Sequence, residues 1–125
     1  MTHLLDVNVL LAAIWDKHPL HERAFAGIKG RRIAVCPLTK LGFIRISTNP
    51  KATINAPMYK ARELLQRFVQ ERNVARIPDD LPALESKPMK SEEVTDSYLA
   101  ELAARHGMKL ATLDERIKHP AAELL

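Results

Sequence analysis

The sequence predicts an α/β domain, a parallel sheet with helices on both of its faces. Two observations predict it. Short apolar segments with strand character alternate with helical stretches, and that alternation is the signature of a parallel sheet covered by helices. The chain has 125 residues, 46% of them hydrophobic, which suits one domain spanning residues 1–125 and able to bury roughly two-thirds of its unfolded surface.

Leu4-Leu5 is a short apolar strand that runs straight into Asp6, and Asn8 to Trp15 reads as a helix that Asn8 can cap. Asp16-Lys17-His18 is a turn. Pro19 suits the first turn of a second helix, which runs to about Lys29 and stops at Gly30. Ile33-Ala34-Val35-Cys36 is a second strand, broken by Pro37, and Thr39 to Ser47 is helical. Met58, Ala61, Leu64, Leu65, Phe68 and Val69 recur at helical spacing, with charged residues on the opposite face, and give the clearest period in the chain. Val74 to Ile77 is a third strand ended by Pro78, and Asp79 to Lys90 is a proline-bearing loop. Ser91 is placed to cap the next helix, which runs to about His106 and closes at Gly107. Lys109 to Leu113 is a fourth strand ending at Asp114, and Ala121 to Leu125 adds a short edge strand.

Composition excludes several classes. Disorder conflicts with the apolar fraction, and no segment recurs as a repeat would require. The single cysteine, Cys36, excludes a disulfide framework and reads as a small buried hydrophobe in a reducing cytosol. The longest apolar run, Val9 to Trp15, is seven residues, against the ~18 or more of a membrane span. The opening residues lack the basic and apolar regions of a signal peptide, so the expectation is a soluble cytoplasmic protein with no membrane association. Nineteen Lys and Arg against fifteen Asp and Glu give a net charge of +4, a weak preference for a polyanion. There is no glycine-rich phosphate loop, no Gly-x-Ser-x-Gly and no paired-histidine spacing.

The carboxylates carry the chemistry. In parallel α/β sheets ligands bind beyond the carboxyl ends of the strands, and Asp6 and Asp114 each follow a strand directly. On a helical wheel Val94, Tyr98, Leu99, Leu102 and Ala103 form an apolar arc, and Asp96 lies at its margin near the helix start. Each acid also has a plain structural use: Asp6 as a helix cap, Asp96 as a solvated first-turn acid, Asp114 as a turn opener. Brought together they need a cation, because two like charges about 4 Å apart repel by about 4 kcal/mol at an effective dielectric of about 20. Oxygen-only ligands suit Mg²⁺ or Mn²⁺, which activates water and stabilises charge on a phosphodiester. Asn8 and Thr112 are supporting candidates beside this edge. Lys40 and Arg45, with no interleaved aromatics, suit contacts to phosphate.

Four blocks, Leu4 to Ala12, Cys36 to Arg45, Val94 to Leu99 and Leu110 to Asp114, resemble the PIN-domain toxins of VapC type, in order and over nearly the whole chain. The resemblance implies a three-layer α/β/α fold with a short parallel central sheet. It further implies a Mg²⁺- or Mn²⁺-dependent ribonuclease, a homodimer and inhibition by a VapB-type antitoxin. The family's metal acids map onto Asp6, Asp96 and Asp114. Where the family often carries a glutamate in the second block, this chain has Lys40.

The expected function is therefore an endoribonuclease toxin in which a metal on Asp6 and Asp96, with Asp114 direct or through water, orients the attacking water. The alternative is a catalytically weakened PIN module that grips RNA or antitoxin without cutting. A phosphoacceptor signalling domain shares the length and fold class, but no strand-end aspartate stands mid-chain. Lys40 is expected near the active edge. The apolar residues Leu10, Leu11, Ile14 and Trp15 are expected to supply surface for a homodimer.

Overall fold

A computed structural model describes the whole chain, residues 1–125. Five strands, β1 (Thr2–Leu5), β2 (Arg32–Val35), β3 (Ala75–Arg76), β4 (Lys109–Thr112) and β5 (Ala122–Leu124), form one sheet of order β3-β2-β1-β4-β5. Every pairing is parallel, with His3 opposite Ile33 on one side and Lys109 on the other. Five helices accompany it: α1 (Val7–Ile14), α2 (His21–Ile28), α3 (Pro37–Ser47), α4 (Met58–Glu71) and α5 (Val94–Arg105).

Strand alternation divides the interior in two. Leu5, Ile33, Val35 and Ala111 point to one face, where α1 to α4 pack. Leu4, Ala34, Cys36 and Leu110 point to the other, against Leu99, Ala100, Leu102 and Ala103 of α5 and the Ile77–Leu81 segment. This is the three-layer α/β/α arrangement the sequence predicts. No helix is long and apolar enough to cross a membrane.

Helix α1 is the centre of the larger core. Val9 to Ala13 are all buried, and Ile14 and Trp15 pack against the same cluster. The apolar run assigned to a dimer surface is therefore spent on the interior, because α1 is enclosed by the sheet, α2, α3 and α4. Helices α1 and α3 approach closely only because position 42 is glycine: a Cβ there would stand 2.7 Å from Val7 Cγ2. Phe43, fully buried, stacks on Trp15 with ring centroids 6.1 Å apart, and Trp15 Nε1 donates to Ser47 Oγ at 2.8 Å.

Several boundaries differ from the sequence expectation for identifiable reasons. Asp6, not Asn8, caps α1: its Oδ1 accepts from the Val9 N–H at 2.8 Å, and Asn8 is exposed inside the helix. Pro37 opens α3 and does not precede it, since a proline at the first helical position has no N–H to lose. Thr39 back-bonds to Cys36 and fixes that start. Ser91 makes no side-chain cap; Ser91–Glu93 is a 3-10 turn leading into α5. A second such turn, Ala83–Glu85, interrupts the expected loop, and the proposed helix at Pro19 begins at His21.

Candidate active site

The sheet order places β1 and β4 side by side at its centre, with the connections from β1 and β4 leaving in opposite directions along the sheet. Such a switch point opens a crevice beyond the carboxyl ends. Asp6 leaves β1 there, Thr112 ends β4, and Asp114 follows two residues later. Asp96 arrives from the first turn of α5.

Asp6 is only 3% exposed. Burial pushes its carboxyl up to about 6, against the bond from Val9 N–H and the Thr112 hydroxyl, which favour the charge; the charges of Asp96 and Asp114 add to the upward push. Asp96 is half-buried and its carboxyl is also raised, first by burial and then by the charge of Asp114, with the Arg116 charge opposing. Neither acid takes part in any of the chain's ion pairs. The three acids thus share one edge and feel one another's charge, although they come from three separate elements.

Asp114 is different. Arg116 grips both of its carboxylate oxygens, Nε to Oδ1 and Nη2 to Oδ2, each at 3.0 Å, and the Arg116 backbone N–H donates to Oδ1 at 2.9 Å. The guanidinium holds the Asp114 carboxyl below the usual range. The Asp114 N–H in turn donates to Thr112 Oγ1 at 3.0 Å, so Thr112 stands between the two strand-end acids. With Asp114 committed in this way, no three of the chain's His, Cys, Asp and Glu side chains form a ready-made metal cage. The convergence expected from the sequence is a shared edge and not a preassembled ligand set.

A cleft of about 430 Å³ opens over this edge, lined by Asp96, Asp114, Glu92, Glu93 and the cations Lys90, Arg116 and Lys118. Its one histidine, His119, is already engaged: Nδ1 accepts from the Ala121 N–H, which turns the Nε2 proton toward Glu101 at 2.8 Å. Asn8 lies on a neighbouring cleft of about 500 Å³ with His18 and Arg23, and the Asp114–Arg116 pair forms part of the wall of both. Lys40 lines neither. It faces a third cleft between α3 and α4, with Ile44, Leu65, Val69, Arg62 and Arg76, because positions 40 and 44 share the side of α3 that meets α4. Arg45 is exposed on α3 and lines none of the three.

The donor set nevertheless suits a small hard cation. Asp6 and Asp96 offer only oxygen, both are raised by burial and by neighbouring like charge, and neither has a protein cation bound to it. Arg116 is the residue sequence reasoning missed. Its only signal is an arginine two positions after the strand-end aspartate, and spacing alone does not tell a turn residue from a clamp.

Comparisons with known proteins show the family and the fold. Residues 3–123 match the family model of the PIN domain. Ribonuclease VapC38 of Mycobacterium tuberculosis (strain ATCC 25618 / H37Rv) is 38% identical over 123 residues, which cover 89% of this chain and 84% of that protein. Ribonuclease VapC44 of the same species (strain CDC 1551 / Oshkosh) is 36% identical over 94% of this chain and 89% of its own, and Ribonuclease VapC39 is 32% identical over 98% and 95%. Among solved structures, a chain of VapBC2 from Rickettsia felis, crystallised with a DNA fragment from their promoter, superposes with a TM-score of 0.63. That match covers 100% of this chain and 98% of the other at 14% identity, a likeness of fold.

Proposed function

On the premise that this chain belongs to the PIN-domain family, among its VapC-type ribonucleases, we propose that it hydrolyses RNA phosphodiesters at the edge formed by Asp6, Asp96 and Asp114, as the toxin of a toxin–antitoxin pair. The observation that carries this reading is the buried Asp6 and half-buried Asp96, neither held in an ion pair, on an edge where Asp96 and Asp114 line a cleft with Lys90, Arg116 and Lys118.

Asp6 and Asp96, joined by Asp114, would hold Mg²⁺ or Mn²⁺, which when bound supplies an activated water and neutralises charge on the reacting phosphoryl group. The chain's own residues do the rest. The Val9 N–H bond fixes the rotamer of Asp6, so one oxygen is spent on the helix and the other is left toward the edge. Thr112 ties the Asp114 backbone to the Asp6 side and keeps the two acids in register. Lys90, Lys118 and Arg116 draw the RNA backbone into the cleft through phosphate contacts, which position without reading sequence. Burial of Asp6 keeps bulk water from screening the site.

The weakened-module alternative draws on the Asp114 clamp, since Lys40 faces the cleft between α3 and α4 and not the acidic edge. One assay separates the two: the purified chain is incubated with total RNA and Mg²⁺, Mn²⁺ or chelator, beside Asp96→Asn. Cleavage that needs the divalent ion and falls on the order of a hundredfold or more in Asp96→Asn is expected for the enzyme. RNA retention with no cutting in any condition would select the module.

A VapB-type antitoxin and a second copy of the chain belong to the same proposal. The surface for them is the apolar-floored cleft between α3 and α4, beside the exposed Leu41. Native mass spectrometry of the chain expressed with the small gene beside its own should give a complex of both proteins. A bare monomer at every concentration would oppose this.

A further inference from the structure

Arg116 is placed oddly for a structural clamp. Its side chain is 86% exposed while that of Asp114 is 19% exposed, so the pair is seated with the acid inward and the base toward solvent. The guanidinium also stands within the fields of Asp96 and Glu92, on the wall shared by the two clefts. It is therefore the counter-ion of the acidic edge, delivered from the side on which a nucleic acid would arrive.

The planar fork of arginine matches a carboxylate and a phosphate in the same bidentate way. One guanidinium cannot serve both at once. While it holds both oxygens of Asp114, those oxygens are closed to a metal ion. Arg116 is 86% exposed and keeps much of its hydration, and an arriving phosphate offers it the same bidentate geometry, so phosphate can compete with Asp114 for the guanidinium. We propose that Arg116 is an exchangeable counter-ion, holding Asp114 in the free protein and passing to an RNA phosphate when RNA binds, so that RNA and the divalent ion bind cooperatively. This rests on the metal-dependent reading above. Linkage makes the effect mutual: the factor by which RNA tightens the metal is the factor by which the metal tightens RNA.

The test reads binding and not turnover. Mn²⁺ affinity is measured by electron paramagnetic resonance on wild type, Arg116→Gln and Asp96→Asn, all without RNA. RNA affinity is measured by fluorescence anisotropy in chelator on the same proteins, after circular dichroism has matched their folds. Arg116→Gln should bind Mn²⁺ roughly tenfold more tightly than wild type, within the usual range of coupling between sites, and bind RNA several-fold more weakly. A clamp of purely structural purpose predicts unchanged or weaker Mn²⁺ binding in Arg116→Gln. That result, with Asp96→Asn still losing Mn²⁺, overturns the exchange and leaves the metal site standing. Absence of Mn²⁺ binding in all three proteins overturns both.

Discussion

Asp6→Asn should make a protein that is more stable at neutral pH and no longer cuts RNA. The carboxyl of Asp6 rises in the folded chain from 3.8 to about 6, mainly through burial. A raised acid favours its protonated form, so its contribution to stability is complete below the unfolded value and is lost as pH climbs through the folded one. The loss between pH 4 and 6 amounts to about 3 kcal/mol. Asparagine does not ionise, yet its side-chain oxygen can still accept from the Val9 N–H, and it caps helices as well as aspartate does. Urea denaturation across this range should therefore show wild type weakening relative to Asp6→Asn, with the gap between the two full by pH 7. Added Mg²⁺ should narrow the gap by stabilising wild type alone. Cleavage by the variant should fall on the order of a hundredfold or more, as a metal-assisted site loses a charged ligand. Parallel pH profiles for the two proteins would show that Asp6 is not held at a cost.

The second large effect lies in the core. Phe43→Ala should cost about 3–5 kcal/mol, the usual penalty for emptying a buried aromatic site. Phe43 is completely buried between α1, α3 and the sheet, and it carries the stacked face of Trp15. With typical stabilities of about 5–15 kcal/mol, that loss removes a large part of the fold's margin and lowers the melting temperature on the order of 10 °C or more. Trp15 is the chain's only tryptophan, so its fluorescence should shift to the red as water reaches the ring. A change below about 1 kcal/mol would mean that α1 and α3 collapse into the space, which the Gly42–Val7 contact argues against.

The sheet and the order of helices were legible because four of the five strands lie in short segments closed by a residue that does not continue them: Asp6, Pro37, Pro78 or Asp114. The same punctuation put two acids at one sheet edge, and the apolar arc of α5 gave the half-buried position of Asp96. What was not legible depends on competition between neighbours. Asp6 and Asn8 are equally good caps, and only the path of the chain out of β1 decides between them. Leu10, Leu11, Ile14 and Trp15 look like surplus surface until four elements are seen to enclose α1. Lys40, expected at the acidic edge, lies away from it, and Arg116, which no spacing pointed to, stands there, for a similar reason. The direction of a long cation is set by the groove beside it, which spacing does not report.

The central position of β1 has a consequence in time. Its pairing with β2 joins residues about thirty apart, but its pairing with β4 joins His3 to Lys109 and Leu5 to Ala111. Contacts between such distant residues form late, and a chain leaving the ribosome cannot make them before both partners exist. Asp6 is synthesised before all but the first strand, Asp96 and Asp114 only after β3. Between the synthesis of Asp6 and that of Asp96 the nascent chain carries one of the three acids, beside a β1 that still lacks β4. An RNA-cutting site built on these three acids is therefore assembled only after the segment carrying β4 and Asp114 has been made.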